Sequence, residues 1–370
     1  MTAMGTAATG MTGTATAATG GRVEWVDHAK GICIVLVVMM HAVHGVDARL
    51  APGLDTGFMG SLVAFAAPFR MPDFFLLSGL FLSLTIARPW ARYFDRKVVH
   101  FAWFYVLWLS IQFVFKGPAI ALDEGPAAAL AAYATGFVVP FGTLWFIYML
   151  PVFFLVTRAL HRLGVPHAAV LAVAVALQVA PVQTGNLLVD EFASRYVWFY
   201  AGYALAPLVF RLAAAVRAHR AFAAGLLVWW ATLNGALVVA GAAGWPGVSL
   251  LLGGLGAMAV VAVGTLLATL PWTAWLRWLG SHSIVVYLAF FLPMAASRTV
   301  LMRLPSDLAL DPALVALLVT VAAVSGPVVL YALVRWTGRG RFLFERPRWA
   351  VLDAPHPASA NPVSKPVAVG

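Results

Sequence analysis

The 370-residue sequence contains little charge. Only 10% of its residues are Asp, Glu, Lys or Arg, whereas a soluble globular chain carries roughly 25%. Hydrophobic residues make up 62%. A soluble fold of this length cannot bury that much apolar surface, so we expect lipid to be the solvent for most of the chain. The composition therefore excludes a soluble enzyme and a disordered protein.

Cysteine and acidic residues are also scarce. The single cysteine, Cys33, cannot form an internal disulfide, which excludes a disulfide scaffold. Lys and Arg number 24 against 14 Asp and Glu, giving a net charge of +10. Because these basic residues are dispersed between apolar runs rather than gathered in one patch, we expect no nucleic-acid partner.

Apolar stretches dominate the rest of the sequence. About ten are long enough, or nearly so, to cross a hydrocarbon layer of ~30 Å. They cover residues 29–46, 60–86, 98–116, 142–161, 167–182, 194–211, 221–241, 248–270, 282–302 and 313–336. The runs are continuously apolar, which is unlike the alternation of a membrane barrel. We therefore predict an all-α polytopic membrane protein, in which 127–140 is a further short helix, an interfacial piece or the start of the fourth span.

The distribution of basic residues predicts the orientation. With ten spans, 18 of the 24 basic residues lie on the side of the N-terminus, five lie on the other side and Arg70 lies within a span. Basic residues concentrate on the cytoplasmic side of membrane proteins. We therefore expect both termini to be cytoplasmic in a protein of the cell membrane. The expected organisation is a disordered tail at 1–28, a transmembrane domain at 29–338, and a basic, then disordered tail at 339–370.

Ionisable residues lie where lipid disfavours them in the first span. This span carries Asp27, Lys30, His41 and His44, and an ionisable group inside a span is a functional candidate by default. At 100° per residue, Lys30 and His41 point within about 20° of each other, so they share one face of the helix. His41 and His44 alone supply too few ligands for a metal, so we expect none.

The second span carries Arg70 and Asp73 around Pro72. Arg70 and Asp73 are three residues apart, close enough to pair on a helix. Proline removes a backbone donor and frees a carbonyl at that depth. The two charged residues therefore predict either a polar cavity near His41 or a buried structural pair.

A basic cluster, Arg92, Arg96 and Lys97, follows the second span. Arg92 and Arg96 are four residues apart, a spacing at which guanidinium groups can grip phosphate oxygens. The cluster can equally be a topology signal that contacts lipid headgroups.

Several segments together resemble a known family. The first span carries Asp27, Lys30, Gly31 and His41, and it is followed by the segments PFRMPDFFLLSG (68–79), TLWFIYML (143–150) and LGSHSIVVYL (279–288). In order and spacing, these motifs resemble the membrane-bound acyltransferase 3 family, in particular its fucose 4-O-acetylase-like branch. The resemblance extends from about 22 to 336.

The resemblance implies an enzyme that moves an acyl group, usually acetyl, from cytoplasmic acyl-coenzyme A to a carbohydrate or glycolipid hydroxyl at a lipid membrane. Arg92, Arg96 and Lys97, helped by Lys30, would hold the phosphates of the donor. His41 would act as a base or carry the acyl group. Arg70 or Asp73 would orient His41 or stabilise the oxyanion, and Asp27 completes the site.

A flippase or proton-coupled transporter that uses the intramembrane His/Arg/Asp cluster is the alternative. The ionisable residues concentrate in the first third of the chain, and the two halves show no convincing similarity. Both features favour an enzyme site over a symmetric pathway.

Overall fold

The computed structural model of the protein describes residues 23–51, 54–304 and 310–352. This part of the chain is helical and contains no β-strand. The α-helices are α1 (Glu24–Asp47), α2 (Gly57–Ala66), α3 (Arg70–Gly79), α4 (Trp90–Phe94), α5 (His100–Glu124), α6 (Pro126–Thr135), α7 (Trp145–Arg162), α8 (His167–Val179), α9 (Leu187–Ala204), α10 (Ala206–Ala218), α11 (Arg220–Val239), α12 (Val248–Leu267), α13 (Ala274–Ser281), α14 (Ser283–Ala289), α15 (Phe291–Leu301) and α16 (Pro312–Thr337). The all-α prediction is confirmed for these residues.

The helices are those of a protein that crosses a membrane several times. Among the described residues, six helices are long and apolar enough to span it, or nine spans exist if each of three bent helix pairs counts as one. The predicted stretch 167–182 forms the 13-residue α8, which is short for a span of ~20 residues. Ten spans, and the orientation, therefore stay predictions.

Three of the spans are broken. α2 and α3 meet at 45°, α9 and α10 at 73°, and α14 and α15 at 52°. At the first break, the Arg70 guanidinium donates from Nη1 to the carbonyl of Val63 at 3.1 Å, and the Asn234 amide donates to the carbonyl of Phe65 at 2.8 Å. Carbonyls at the end of a helix inside a membrane need such donors, because lipid offers none.

α1 is the central helix of the bundle and begins earlier than predicted. Residues 24–28 were expected in a disordered tail, but they belong to α1. Trp25, Val26 and His28 are buried there, and His28 Nε2 lies 3.0 Å from the hydroxyl of Thr273. Contacts with a segment nearly 250 residues away therefore order this end of the helix, and a local sequence pattern does not reveal them. Residues 1–22 lie outside the described residues.

Glycines let α1 and α13 approach each other backbone to backbone. A Cβ at Gly280 would overlap the Asp27 carbonyl, and a Cβ at Gly31 would overlap the Leu276 carbonyl. Small residues allow this close packing, which drives helix association in lipid. The packing fixes the rotation of α1 and so determines where its polar residues point.

Contacts between distant segments define the two ends of the bundle. At the N-terminal face, where α1 begins, Glu24 forms a 2.5 Å ion pair with Arg277 and the Trp25 ring packs on Phe210. At the distal face, where α1 ends, a Cβ at Gly45 would overlap the guanidinium of Arg298.

The region 127–140 and the C-terminal segment are both folded. The first contains the ten-residue helix α6. The transmembrane domain was predicted to end at 338, and α16 ends at Thr337. Beyond it, Trp108 Nε1 donates to the Leu343 carbonyl at 3.1 Å, and the Phe344 ring packs on Trp108. The predicted tail 339–370 therefore begins with a segment docked on α5, while residues 353–370 lie outside the described residues.

We predict that Gly280→Ala destabilises the protein by about 1–3 kcal/mol, because the new methyl group has no space between α13 and α1. The thermal unfolding midpoint of purified protein in detergent would fall. Gly225→Ala in α11 is the matched control, since no atom lies within 4 Å of its Cβ position. Equal midpoints for the two variants would contradict the close packing.

Candidate functional site

A basic cleft opens at the N-terminal face between α4 and α5. Its volume is about 370 Å³. The cluster predicted from the sequence, Arg92, Arg96 and Lys97, lines it together with Arg88 and His100 of the same basic segment. Arg96 and Lys97 lie in a single π-helical turn, Asp95–Val99, between α4 and α5. Such turns are frequent at functional sites, because the extra residue changes the direction of the side chains.

A buried arginine supports the wall of the basic cleft. Arg158 is 1% exposed, and its guanidinium lies 4.2 Å from the centre of the Tyr93 ring. Its Nη2 donates to the Arg88 carbonyl at 2.8 Å. Nε and Nη1 of Arg158 have no hydrogen-bond partner. In the sequence, Arg158 is an ordinary basic residue at the end of a helix. Only the tertiary packing shows that it contacts and supports the residues of the basic cleft.

A central cleft of about 290 Å³ continues from the basic cleft into the bundle. Lys97 and Phe101 line both clefts. The walls of the central cleft are largely aromatic and aliphatic, and Tyr287 lies among them. The cleft is therefore charged where it meets the basic cleft and mainly apolar inside.

A third cleft, the Asp27 cleft, also reaches the central cleft. It has a volume of about 360 Å³ and is lined by Asp27 and Lys30, among others. Lys30 lines the central cleft as well. The structure thus brings Lys30 and Lys97, which lie on helices far apart in the sequence, to the same cavity.

His41 lies deeper in the bundle, about three helical turns from Lys30. It is half-buried, and the centre of its ring is 5.3 Å from that of Phe290. The Phe290 ring is in turn 6.4 Å from Tyr287 at the central cleft. The Phe290 ring therefore contacts both His41 and a residue that lines the central cleft.

The charged groups that interact electrostatically with His41 are Arg70, His44 and Lys116. Lys116 was counted in the sequence only as a basic residue on the outer side. Its Nζ lies 4.5 Å from the centre of the Phe291 ring, next to the phenylalanine that packs on His41. A Cβ at Gly142 would lie 2.7 Å from Nζ, so glycine leaves space for this ammonium.

Arg70 and Asp73 do not form the pair that their spacing allowed. Arg70 donates to the Val63 carbonyl at the helix break. Asp73 is 1% exposed, and neither of its carboxyl oxygens has a hydrogen-bond partner. Asp73 therefore does not hold the ring of His41 in this structure. The Asp73 carboxyl interacts electrostatically with the Cys33 thiol of α1.

The C-terminal segment is tied to the turn that carries Arg96 and Lys97. Asp95 is buried at the start of this turn. Arg346 donates from Nη2 to its carboxylate at 2.5 Å and from Nη1 to its backbone carbonyl at 2.9 Å. The backbone N–H of Leu352 donates to the same carboxylate at 2.8 Å. The position of the basic cleft therefore depends on residues about 250 positions further along the chain.

Fold and site together define a class of protein. The described residues form a multi-pass helical membrane protein whose N-terminal face opens into connected basic and apolar clefts, with a half-buried histidine beyond them. Residues 23–332 match the acyltransferase 3 family model, which is described as an acyltransferase domain. The chain belongs to this family, as its motifs predicted.

A distant relative agrees with a membrane location. The chain is 29% identical over 165 residues to the inner membrane protein YcfT of Escherichia coli strain K12, a match that covers 38% of this chain and 45% of the relative. The match thus spans less than half the length of that relative. No solved structure matches the chain. Membership of an acyltransferase family favours acyl transfer over the transporter alternative.

We predict that Arg346→Ala destabilises the protein by roughly 3–5 kcal/mol, because it leaves the buried Asp95 carboxylate without its cation. The unfolding midpoint in detergent measures the loss. The double variant with Asp95→Ala should lose less than the sum of the two single changes.

Arg335→Ala is the matched control for this cycle. Arg335 pairs with Glu345 at 3.4 Å, and both side chains are about half exposed, so the loss should be at most ~1 kcal/mol. Equal shifts for Arg346→Ala and Arg335→Ala would show that the buried pair does not anchor the segment.

Proposed function

We propose that this protein is a membrane O-acyltransferase of the cell membrane that moves an acetyl or other acyl group from cytoplasmic acyl-coenzyme A to a hydroxyl of a cell-surface or lipid-linked carbohydrate. In this proposal the N-terminal face is cytoplasmic. The observation that carries it, beside family membership, is the passage from the basic cleft into the mainly apolar central cleft.

The shape and charge of the clefts suit an acyl-coenzyme A donor. Its nucleotide carries phosphates, and Arg92, Arg96 and Lys97 line one wall of the basic cleft. Its pantetheine arm is uncharged and narrow, as the central cleft requires. Lys97 sits at the transition, with its ammonium 4.3 Å from the centre of the Phe154 ring. Lys30 contributes a second cation to the same cavity.

His41 is the proposed base. A carbohydrate oxygen attacks the thioester carbonyl while the imidazole accepts the hydroxyl proton. As the tetrahedral intermediate collapses, the carbon–sulfur bond breaks and the imidazolium returns the proton to the coenzyme A thiolate. In the alternative course, His41 first takes the acyl group and then passes it to the hydroxyl.

Positive charge near His41 suits either course. Arg70 and Lys116 both interact electrostatically with the ring, and a cation close to the reacting carbonyl stabilises the oxyanion that develops on it. Asp73 and Asp27 stay candidates. Asp73 is the buried carboxyl without a partner, whereas Asp27 lines the cleft next to Lys30.

We predict that Arg92→Ala combined with Arg96→Ala weakens acetyl-coenzyme A binding by at least about tenfold, since charge-assisted hydrogen bonds contribute ~1.5–3 kcal/mol each. Titration calorimetry on purified protein measures the affinity. Binding of acetyl-pantetheine, which has no phosphates, should be unchanged. Arg211→Ala, which removes an exposed arginine outside the cleft, is the control. An unaltered affinity in the double variant would assign the cluster to topology alone.

We also predict that His41→Ala abolishes acetylation of surface glycans while the protein still inserts in the membrane. Mass spectrometry of glycans from cells with and without the gene detects the acetyl group. His219→Ala, at an exposed position in the turn between α10 and α11, is the control and should retain activity. Normal glycan acetylation by the His41 variant would remove this residue from the mechanism.

A further inference from the structure

A separate polar cleft opens towards the distal face. This distal cleft has a volume of about 230 Å³, several times the ~30 Å³ that one water occupies in the liquid. Its lining includes Pro68 and Pro72 at the break between α2 and α3, Arg195 and Trp198 of α9, Gln178 of α8 and Ser249 of α12. None of these residues belongs to the clefts at the N-terminal face.

The polar groups of the distal cleft leave hydrogen bonds open. The amide nitrogen of Gln178 donates to the Ser249 hydroxyl at 3.1 Å, while the amide oxygen of Gln178 is buried and has no partner. Turning the amide over would leave the nitrogen unpartnered instead. A buried amide atom without a partner is costly, so the cleft favours an occupant that forms hydrogen bonds, and a lipid tail cannot supply them.

The charge of the distal cleft favours a neutral occupant. Arg195 Nε donates to the Glu191 carboxylate at 3.0 Å, one turn away on α9. This carboxylate compensates the arginine charge, so the cleft lacks the excess of cations that distinguishes the basic cleft. The two terminal nitrogens of Arg195 can still donate to neutral oxygens.

The floor of the distal cleft is apolar. A Cβ at Gly253 would lie 2.7 Å from the Trp198 indole and 3.1 Å from the Pro72 ring. The glycine therefore leaves space for both rings, and both line the cleft. An apolar floor with a few fixed donors and acceptors is the usual construction of a small-molecule site. It suits a sugar ring, which has an apolar CH face and hydroxyls at its edge.

The distal cleft also borders the helix break at which Arg70 lies. Arg195 interacts electrostatically with Arg70, and Arg70 interacts with His41. Arg70 stands at the helix break between Pro68 and Pro72, both of which line the cleft. The distal cleft thus borders the helix break that carries Arg70, the arginine that interacts electrostatically with His41.

We propose that the distal cleft binds the sugar ring that presents the acceptor hydroxyl, with Gln178, Ser249 and Arg195 contacting its hydroxyl groups. The proposal rests on the proposed transfer to a carbohydrate. It gives the enzyme two entrances: the donor enters from the N-terminal face, and the acceptor enters from the distal face. Both substrates then approach His41 from opposite ends of the bundle.

Cysteine labelling tests the cleft directly. The only natural cysteine, Cys33, is buried, so Ser249→Cys places a unique accessible thiol in the cleft. We expect a membrane-impermeant maleimide to label this variant from outside intact cells. Methyl glycosides (gluco, galacto and fuco) should slow the labelling several-fold in purified protein, whereas permethylated glycosides and inorganic phosphate should not. Gln183→Cys, exposed in the loop after α8, is the control and should be labelled at the same rate with or without glycosides.

Each other outcome overturns the proposal. No labelling of Ser249→Cys means that the cleft is closed to the distal side. Labelling that no glycoside slows means a crevice filled with water, and protection by phosphate means an anion site. Adding Gln178→Leu should abolish the protection, and protection that persists would place the sugar elsewhere.

A second measurement separates this proposal from the proposed function. Gln178→Leu should leave the affinity for acetyl-coenzyme A unchanged, while glycan acetylation in cells falls at least tenfold. If the natural protein itself neither binds acetyl-coenzyme A nor acetylates glycans, the proposed function fails. If it does both and Gln178→Leu acetylates normally, only the acceptor site fails.

Discussion

The contact between α1 and α13 is the constraint on which the rest of the structure depends. Gly31 and Gly280 bring the two backbones together, and this contact leaves α1 no freedom to rotate. Since Lys30 and His41 share one face of α1, the contact also sets the direction of both candidate residues. Helices in lipid associate through close packing of small residues, because their apolar side chains are already out of water and gain no hydrophobic stabilisation from further burial. One helix thereby links the entrance of the clefts to the half-buried imidazole of His41.

The broken helices raise a second problem in lipid, because the backbone carbonyls at their ends need hydrogen-bond donors that lipid does not supply. At the break between α2 and α3, Arg70 and Asn234 fill this role. Arg70 also interacts electrostatically with His41. The same guanidinium therefore stabilises the helix break and contributes positive charge near His41. An ionisable residue inside a span can therefore have a structural role as well as a functional one. Asp73 shows the opposite case, a buried carboxyl that no hydrogen bond in the structure explains.

The two ends of the bundle differ in their electrostatics. Among the described residues, the lining of the basic cleft contains several basic residues and no carboxylate, whereas Arg195 in the distal cleft pairs with Glu191. His41 lies between these environments, beneath Phe290. The C-terminal segment helps to position the basic cleft, because Arg346 hydrogen-bonds Asp95 in the turn that carries Arg96 and Lys97. A change far from the basic cleft in sequence can thus alter the shape of this cleft without touching it.

The sequence by itself determined the all-helical membrane fold and the shared face of Lys30 and His41, because hydrophobic runs and helical periodicity are local properties. It also indicated the family, since its motifs keep their order and spacing. Only the tertiary structure decided which distant side chains meet: Arg158 with Tyr93 at the basic cleft, Lys116 with the Phe291 ring, and Arg346 with Asp95, 251 residues away. Such pairings follow from how helices pack, and no single segment carries a pattern for them. For the same reason the local spacing could not decide whether Arg70 and Asp73 pair, and in the structure they do not.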